Sequence, residues 1–306
     1  MLAKLKYFPL FLMLMGLALP ASAGESAPEN EFNVDMDMGR GGEARRVPDA
    51  SEFKVCAEAD NLPFSNSKTE GFENKIAALI AEDLGKKLSY QFWHHMLGYY
   101  RNTLNAYRCD VIIGTVAYND MLMTTKPYYR STYAFVYRKD SGFNITDWKS
   151  PDLKKAKAIG VVDKTPVATA LDDNDLMENA KPYRIFRDLT QPPSKLIDDL
   201  VAGEIDVAIV WGPIAGYYAK KASVPLVVVP TPEYEGMRDT AKLQFNIAMG
   251  VRKRDKEREA MIQDVLDRRH ADILKILDEY GVPHLPVVDE RKEKAKKRGD
   301  VIPKNE

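Results

Sequence analysis

Few residues in this sequence have a type and spacing that could support catalysis. The four histidines include the neighbours His94 and His95, which could bind a metal ion together with a carboxylate. Adjacent side chains on a strand point to opposite faces, so surface histidines are the better interpretation and we predict no metal site. The sequence contains no Gly-x-Ser-x-Gly nucleophile elbow, no His-Glu-x-x-His zinc motif and no phosphate-binding Gly-x-x-x-x-Gly-Lys. We therefore expect a protein that is not an enzyme and carries no cofactor.

The N-terminal segment has the pattern of a secretory signal peptide. Lys4 and Lys6 precede an apolar run over residues 8–19, and Ala21-Ser-Ala follows it. This run is shorter than the roughly 20 residues that a membrane span requires. We expect cleavage after about Ala23, no membrane anchor and a periplasmic location. The formal net charge of −1 gives no indication of a nucleic-acid partner.

The two cysteines, Cys56 and Cys109, are candidates for a disulfide. Each lies on or at the start of a strand-like run. If those strands are parallel neighbours, their spacing of about 4.8 Å falls within the Cα separation that a disulfide needs. An even number of cysteines in an exported protein favours the bridge over the alternative of two buried thiols. We predict a structural disulfide.

Strands and helices alternate along the middle of the chain, which predicts an α/β architecture with mainly parallel sheets. The apolar runs that begin at Val111 and Val207 fit strands covered on both faces. Residues 24–50 are polar and predict a disordered linker, and the charged tail over 284–306 is expected to lie outside the core. The strand-like runs are 53–57, 88–93, 109–116, 132–138, 157–162, 182–186, 205–211, 224–229 and 245–251. The helical runs are 72–84, 97–107, 166–171, 194–202, 213–221 and 255–280.

Three motifs follow one another in a specific order. Asn61-Leu-Pro-Phe-Ser comes after the first strand, Gly71-Phe-Glu-Asn-Lys-Ile-Ala opens the first helix, and Thr124-Thr-Lys-Pro-Tyr-Tyr follows further along. This order resembles the amino-acid-type (family 3) bacterial solute-binding proteins over about residues 51–283. The resemblance implies a type II periplasmic binding protein fold, with two αβ lobes, a two-strand hinge and ligands in the cleft between the lobes. It places lobe 1 at 51–140, lobe 2 at 141–235 and the return to lobe 1 at 236–283.

Longer motifs resemble one branch of that family. Val55-Cys-Ala-Glu-Ala-Asp-Asn-Leu-Pro-Phe-Ser-Asn, Arg108-Cys-Asp-Val and Val210-Trp-Gly-Pro-Ile-Ala-Gly-Tyr-Tyr-Ala look like the MxaJ/XoxJ proteins, and Gln191-Pro-Pro is closer to the XoxJ type. These are periplasmic accessory proteins of pyrroloquinoline-quinone (PQQ) methanol dehydrogenases, and the XoxJ type is linked to lanthanide-dependent enzymes. The resemblance implies a role in dehydrogenase maturation or assembly, with the large subunit of the methanol dehydrogenase as partner and its cytochrome c as a further one. The alternative is a receptor that delivers a small solute other than an amino acid to an ABC importer.

Two departures from the amino-acid receptors concern the ligand. Those receptors hold the substrate carboxylate with an Arg after the third strand, and the corresponding loop here, residues 115–123, contains no Arg. They hold the ammonium group with an Asp at the end of a strand where this chain has Trp211. A free amino acid would be left poorly paired, so we expect a different ligand.

The cleft implied by the resemblance is aromatic and neutral. Thr165-Pro166 is predicted to cap a helix whose N-terminus faces it. Several of the aromatic side chains, including Tyr128, have an alternative interpretation as core residues. The predicted ligand or partner contacts are Asn61, Phe64, Trp93, Thr115, Tyr118, Asp120, Tyr128, Thr165 and Trp211.

Overall fold

The computed structural model describes residues 47–95, 97–185, 188, 190–234 and 242–289. The predicted signal peptide, most of the predicted linker and most of the charged tail lie outside these ranges. The strands are β1 (Glu52–Ala57), β2 (Asp60–Asn61), β3 (Ser65–Asn66), β4 (Lys87–Phe92), β5 (Val111–Val116), β6 (Met123–Thr124), β7 (Tyr129–Arg138), β8 (Ile159–Val162), β9 (Ala180–Tyr183), β10 (Val207–Trp211), β11 (Leu226–Pro230) and β12 (Gln244–Val251). The α-helices are α1 (Phe72–Asp83), α2 (Tyr99–Asn102), α3 (Pro151–Lys155), α4 (Val167–Asp173), α5 (Lys195–Ala202), α6 (Gly212–Lys221) and α7 (Lys256–Glu279).

One mixed sheet organises the described residues, in the order β4-β1-β5-β12-β7-β10-β8-β9, with β11 beside β7 and β6 beside β12. Strands β4, β1 and β5 are parallel, as are β10, β8 and β9. Strands β7 and β12 pair with each other and run antiparallel to their other neighbours. The prediction of mainly parallel sheets was therefore wrong, because these two strands join the two parallel groups. The α/β class and the type II periplasmic binding protein fold are confirmed.

Hydrophobic clusters lie on both sides of the β7–β12 pair. One cluster gathers β1, β5, α1, α7 and the second half of β12. The other two cover opposite faces of β10: Val207 and Ile209 face one cluster, and Ala208 and Val210 face the other. This alternation explains why the run that begins at Val207 is apolar throughout. All described residues belong to one compact unit, and the lobe boundaries at 140 and 235 stay a prediction.

The predicted disulfide is present. Strands β1 and β5 are parallel neighbours that align Val55 with Val111 and Cys56 with Ile112. Cys109, just before β5, forms a disulfide with Cys56 across a Cα separation of 5.3 Å. The bond ties two adjacent strands of the sheet together, in agreement with a structural role.

Two predicted elements differ from the structure. The helix expected over 97–107 shortens to α2 followed by turns, and Leu97 is fully exposed. The strand expected over 182–186 lies earlier, at β9, where the edge of the sheet tolerates Pro182.

The longest helix, α7, is amphipathic. Its buried residues Ile262, Val265, Leu266, Ile273 and Leu277 form a stripe towards the core. None of the helices in the described ranges combines the length and the apolar character that crossing a bilayer requires.

Candidate functional site

A cavity of about 490 Å³ lies where the hydrophobic clusters on the two sides of the β7–β12 pair meet. The ends of β1, β5 and β10 contribute to its walls, together with the β2–β3 hairpin and the first turn of α1. Strand ends and helix starts of this kind are the usual ligand-binding edge of an α/β sheet. The lining residues are Cys56, Ala57, Glu58, Asn61, Phe64, Ser65, Glu73, His95, Tyr99, Tyr100, Ile112, Gly114, Thr115, Val116, Asn119, Tyr129, Tyr133, Pro166, Trp211, Phe245 and Ile247.

Trp211 is the central apolar group of this cavity. Its ring packs against all three large hydrophobic clusters. Tyr133 meets it edge-on at a centroid distance of 5.4 Å, and Phe245 does so at 5.9 Å. Phe64 contacts clusters on both sides of the cavity. The aromatic wall therefore belongs to the same packing that joins the two parts of the sheet.

A first polar group in the wall is centred on Glu58. Its carboxylate accepts hydrogen bonds from Asn61 Nδ2 at 2.6 Å and from the His95 backbone N–H at 3.0 Å. The His95 ring stacks on Tyr99 with centroids 4.5 Å apart. These contacts satisfy Glu58 and hold Asn61 at the cavity edge.

A second polar group of the cavity lies on α2, β5 and the loop after β5. Tyr100 Oη and Thr115 Oγ1 share a hydrogen bond of 3.2 Å. Asn119 Nδ2 donates to both oxygens at 3.3 Å. The three side chains form a neutral network of donors and acceptors.

The first turn of α1 is fixed against the β2–β3 hairpin. The Phe72 backbone N–H donates to Pro63 O at 2.8 Å, and that of Glu73 donates to Phe64 O at 3.0 Å. Gly71 is required before this turn, since a Cβ there would lie 2.0 Å from Phe64 O. The chain therefore places the Glu73 side chain inside the cavity wall.

Glu73 has the most perturbed carboxyl group of the site. Burial, and secondarily the charge of Glu58, raises its pKa to about 8. Burial also raises the pKa of Tyr133 to about 12, although a hydrogen bond with Thr165 lowers this pKa by a smaller amount. At neutral pH Glu73 is therefore protonated and can act as a hydrogen-bond donor.

Four of the predicted contact residues line the cavity: Asn61, Phe64, Thr115 and Trp211. Tyr128 lies in the core instead, where its hydroxyl donates to Ile113 O at 3.0 Å. The next residue, Tyr129, lines the cavity in its place.

The other predicted contact residues lie outside the lining. Trp93 packs against a fourth, smaller hydrophobic cluster that contains Cys56 and Cys109, and the guanidinium of Arg108 lies 5.3 Å from its ring centroid. Tyr118 and Asp120 are exposed in the loop after β5. Thr165 Oγ1 donates to Val162 O at 2.8 Å, and no side chain caps α4, so the predicted cap was wrong. Pro166 provides the cavity contact at this point.

Sequence reasoning missed Glu73 and the aromatic residues of α2. An acidic residue in the first turn of a helix is ordinary, because it interacts favourably with the helix dipole. Only the distant residues that surround Glu73 make it unusual. Within the described ranges no cluster of three or more metal-binding side chains occurs, and none of the described lining residues is Lys or Arg.

Comparison with known proteins identifies related chains. Residues 53–283 match the family model of bacterial extracellular solute-binding proteins, family 3. Protein MoxJ from Methylorubrum extorquens AM1 is 34% identical over 283 residues, which cover 88% of this chain and 93% of MoxJ.

Two solved structures are similar to this chain in both fold and sequence. The crystal structure of MxaJ from Methlophaga aminisulfidivorans MPT superposes with a TM-score of 0.69 at 31% identity, covering 76% of this chain and 100% of MxaJ. The crystal structure of the periplasmic binding protein XoxJ from Methylobacterium extorquens AM1 gives a TM-score of 0.65 at 37% identity, covering 77% of this chain and 100% of XoxJ.

Proposed function

The chain belongs to the bacterial extracellular solute-binding proteins, family 3, and to their MxaJ/XoxJ branch, and we propose that it supports the maturation or assembly of a PQQ-dependent methanol or alcohol dehydrogenase of the lanthanide type. In this role it is an exported, periplasmic binding protein without catalytic activity. Its proposed partner is the large subunit of the dehydrogenase, and the associated cytochrome c is a second one. The similarity to MoxJ and XoxJ across most of the chain carries the proposal.

The chemistry of the cavity supports a ligand other than a free amino acid. The described lining offers no Lys or Arg for a carboxylate, and the resemblance to amino-acid receptors implies that Trp211 stands where those receptors have their ammonium-binding Asp. The carboxylate of a free amino acid would lose solvation without a compensating cation in the described lining. An aromatic cavity of this kind suits an apolar side chain of a partner protein.

Deletion of the gene tests the proposed role. We expect low dehydrogenase activity in periplasmic extracts of the deletion strain, and recovery when the wild-type gene is restored. The Trp211→Ala variant should not restore activity, because it removes the central aromatic group of the cavity. Met177→Ala is the matched control, since Met177 is exposed and lies outside the lining. Full dehydrogenase activity in the deletion strain would contradict the proposal.

A second candidate function is a receptor for a small solute other than an amino acid, serving an ABC importer. The cavity volume of about 490 Å³ favours it, because small-molecule sites commonly have this size. A thermal-shift screen of alcohols, sugars and carboxylates tests it, since a ligand at 100 times its Kd stabilises the fold by about 2.7 kcal/mol. A stabilising ligand, together with unchanged dehydrogenase activity in the deletion strain, would favour this function over the first.

A further inference from the structure

We propose that the cavity binds a small neutral molecule with a carbonyl or hydroxyl oxygen on an apolar ring or chain, and that the Glu73 carboxyl, which lies over Gly114 in the cavity wall, hydrogen-bonds to that oxygen. The proposal concerns the ligand chemistry of the cavity. It stands independently of the dehydrogenase role.

The position of Glu73 is the first argument. Its carboxyl lies directly over Gly114 of β5, where a Cβ would come within 2.1 Å of Oε1. The absence of a side chain at Gly114 therefore leaves the space that the carboxyl occupies. No group in the described part of the chain hydrogen-bonds to this carboxyl, although it lines the cavity. Its hydrogen-bonding capacity is available to a ligand.

The charge around Glu73 is the second argument. Its neighbour Glu58 is already satisfied by Asn61 and by the His95 backbone N–H. No Lys or Arg among the described lining residues stabilises an ionised Glu73. Burial and the charge of Glu58 keep the pKa of Glu73 at about 8, so the side chain is a donor at pH 7. The titratable groups that face it are Glu58, His95, Tyr90, Tyr99, Tyr128 and Tyr129.

These surroundings discriminate between ligand charges. An anion would meet the carboxylate of Glu58 without a cation to balance it. A cation would meet a neutral Glu73, and the Glu58 carboxylate already accepts hydrogen bonds from Asn61 and from the His95 backbone N–H. A neutral oxygen accepts a hydrogen bond from the protonated carboxyl, while the rings of Tyr133, Trp211 and Phe245 contact the apolar part of the molecule.

Isothermal titration calorimetry with benzamide, benzoate and benzylamine tests the proposal, because the three probes have similar shapes and differ in charge. We expect benzamide to bind most tightly at pH 7. Its affinity should fall about tenfold between pH 7 and pH 9, because Glu73 with a pKa of about 8 loses its proton over this interval. Glu73→Gln retains an N–H donor and should bind benzamide with an affinity independent of pH. Glu82→Gln, on the exposed face of the same helix, should behave as the wild type.

Several results would overturn the proposal. The first is that benzylamine or benzoate binds more tightly than benzamide. The second is that the affinity for benzamide does not fall between pH 7 and pH 9. The third is that none of the three probes binds. A carbon-13 NMR titration of the glutamate carboxyls provides a second measurement that needs no ligand. It should give a midpoint near 8 for the signal that disappears in Glu73→Gln. A midpoint near the ordinary value of 4.5 would refute the donor role.

Discussion

Replacing Glu73 with Gln should stabilise the protein, and the gain should grow with pH. Burial and Glu58 raise the pKa of Glu73 from 4.5 to about 8. A carboxyl whose pKa is raised on folding favours the folded state only while it is protonated. The wild-type protein therefore loses stability as the pH rises from 4.5 towards 8, and above 8 the loss is complete.

The size of the effect follows from this shift. One pKa unit corresponds to about 1.4 kcal/mol. Linkage gives a destabilisation of the folded state by Glu73 of about 3 kcal/mol at pH 7, where folding must protonate the side chain, and of about 5 kcal/mol at pH 9, where the buried side chain is ionised. Near pH 4.5 the cost falls below about 0.5 kcal/mol. Gln has nearly the same shape and no charge, so the Glu73→Gln variant escapes this cost.

Urea unfolding followed by tryptophan fluorescence measures the difference. The free energy of unfolding of Glu73→Gln, minus that of the wild type, should increase by about 4 kcal/mol between pH 4.5 and pH 9. Glu82→Gln, in which an exposed carboxyl of the same helix is changed, should show a constant difference. If the difference for Glu73→Gln is also constant with pH, Glu73 is not buried as a neutral acid and the reasoning fails.

Three further changes test the packing around the site. Gly114→Ala would place a Cβ within 2.1 Å of a carboxyl oxygen in the cavity; we expect it to weaken benzamide binding at least tenfold in calorimetry, and unchanged binding would contradict the geometry. Exchange of both Cys56 and Cys109 for Ser opens a disulfide that spans 53 residues and should lower the free energy of urea unfolding by about 4 kcal/mol, whereas equal stability would exclude a structural role. Arg252→Leu removes the 2.9 Å ion pair of the fully buried Asp110, which keeps a longer pair of 4.0 Å with Arg258, and should cost about 3 kcal/mol in the same assay; a loss below about 1 kcal/mol would show that the pair is not needed.

The local patterns of the sequence were sufficient for the main elements of the fold. The apolar run of β10 predicted a strand covered on both faces, and the structure places a cluster on each face. The even number of cysteines in an exported protein predicted the disulfide, and the strands concerned, β1 and β5, are parallel neighbours. The antiparallel pairing of β7 with β12 was missed, because residues 132–138 and 245–251 give no local signal of relative direction.

The site was predicted only in part. Trp211 and Thr115 were predicted from the resemblance to the amino-acid-type solute-binding proteins, and both line the cavity. Tyr128 and Tyr129 are adjacent and chemically equivalent, so their residue types could not predict which of them lines the cavity; the structure shows that it is Tyr129. The pKa and the position of Glu73 are unusual because of Glu58 and Gly114. Neither residue lies on the helix that carries Glu73, so the pattern of that helix gives no indication of them. Such an environment exists only in the folded chain.

Direct binding to the dehydrogenase tests the proposed function most directly. The measurement is a titration of the purified mature protein against the isolated large subunit of the cognate PQQ dehydrogenase, with and without bound cofactor. We predict saturable binding that Trp211→Ala weakens at least tenfold and Met177→Ala leaves unchanged. Absence of saturable binding to either form of the subunit, or equal binding by the Trp211→Ala variant, would contradict the account.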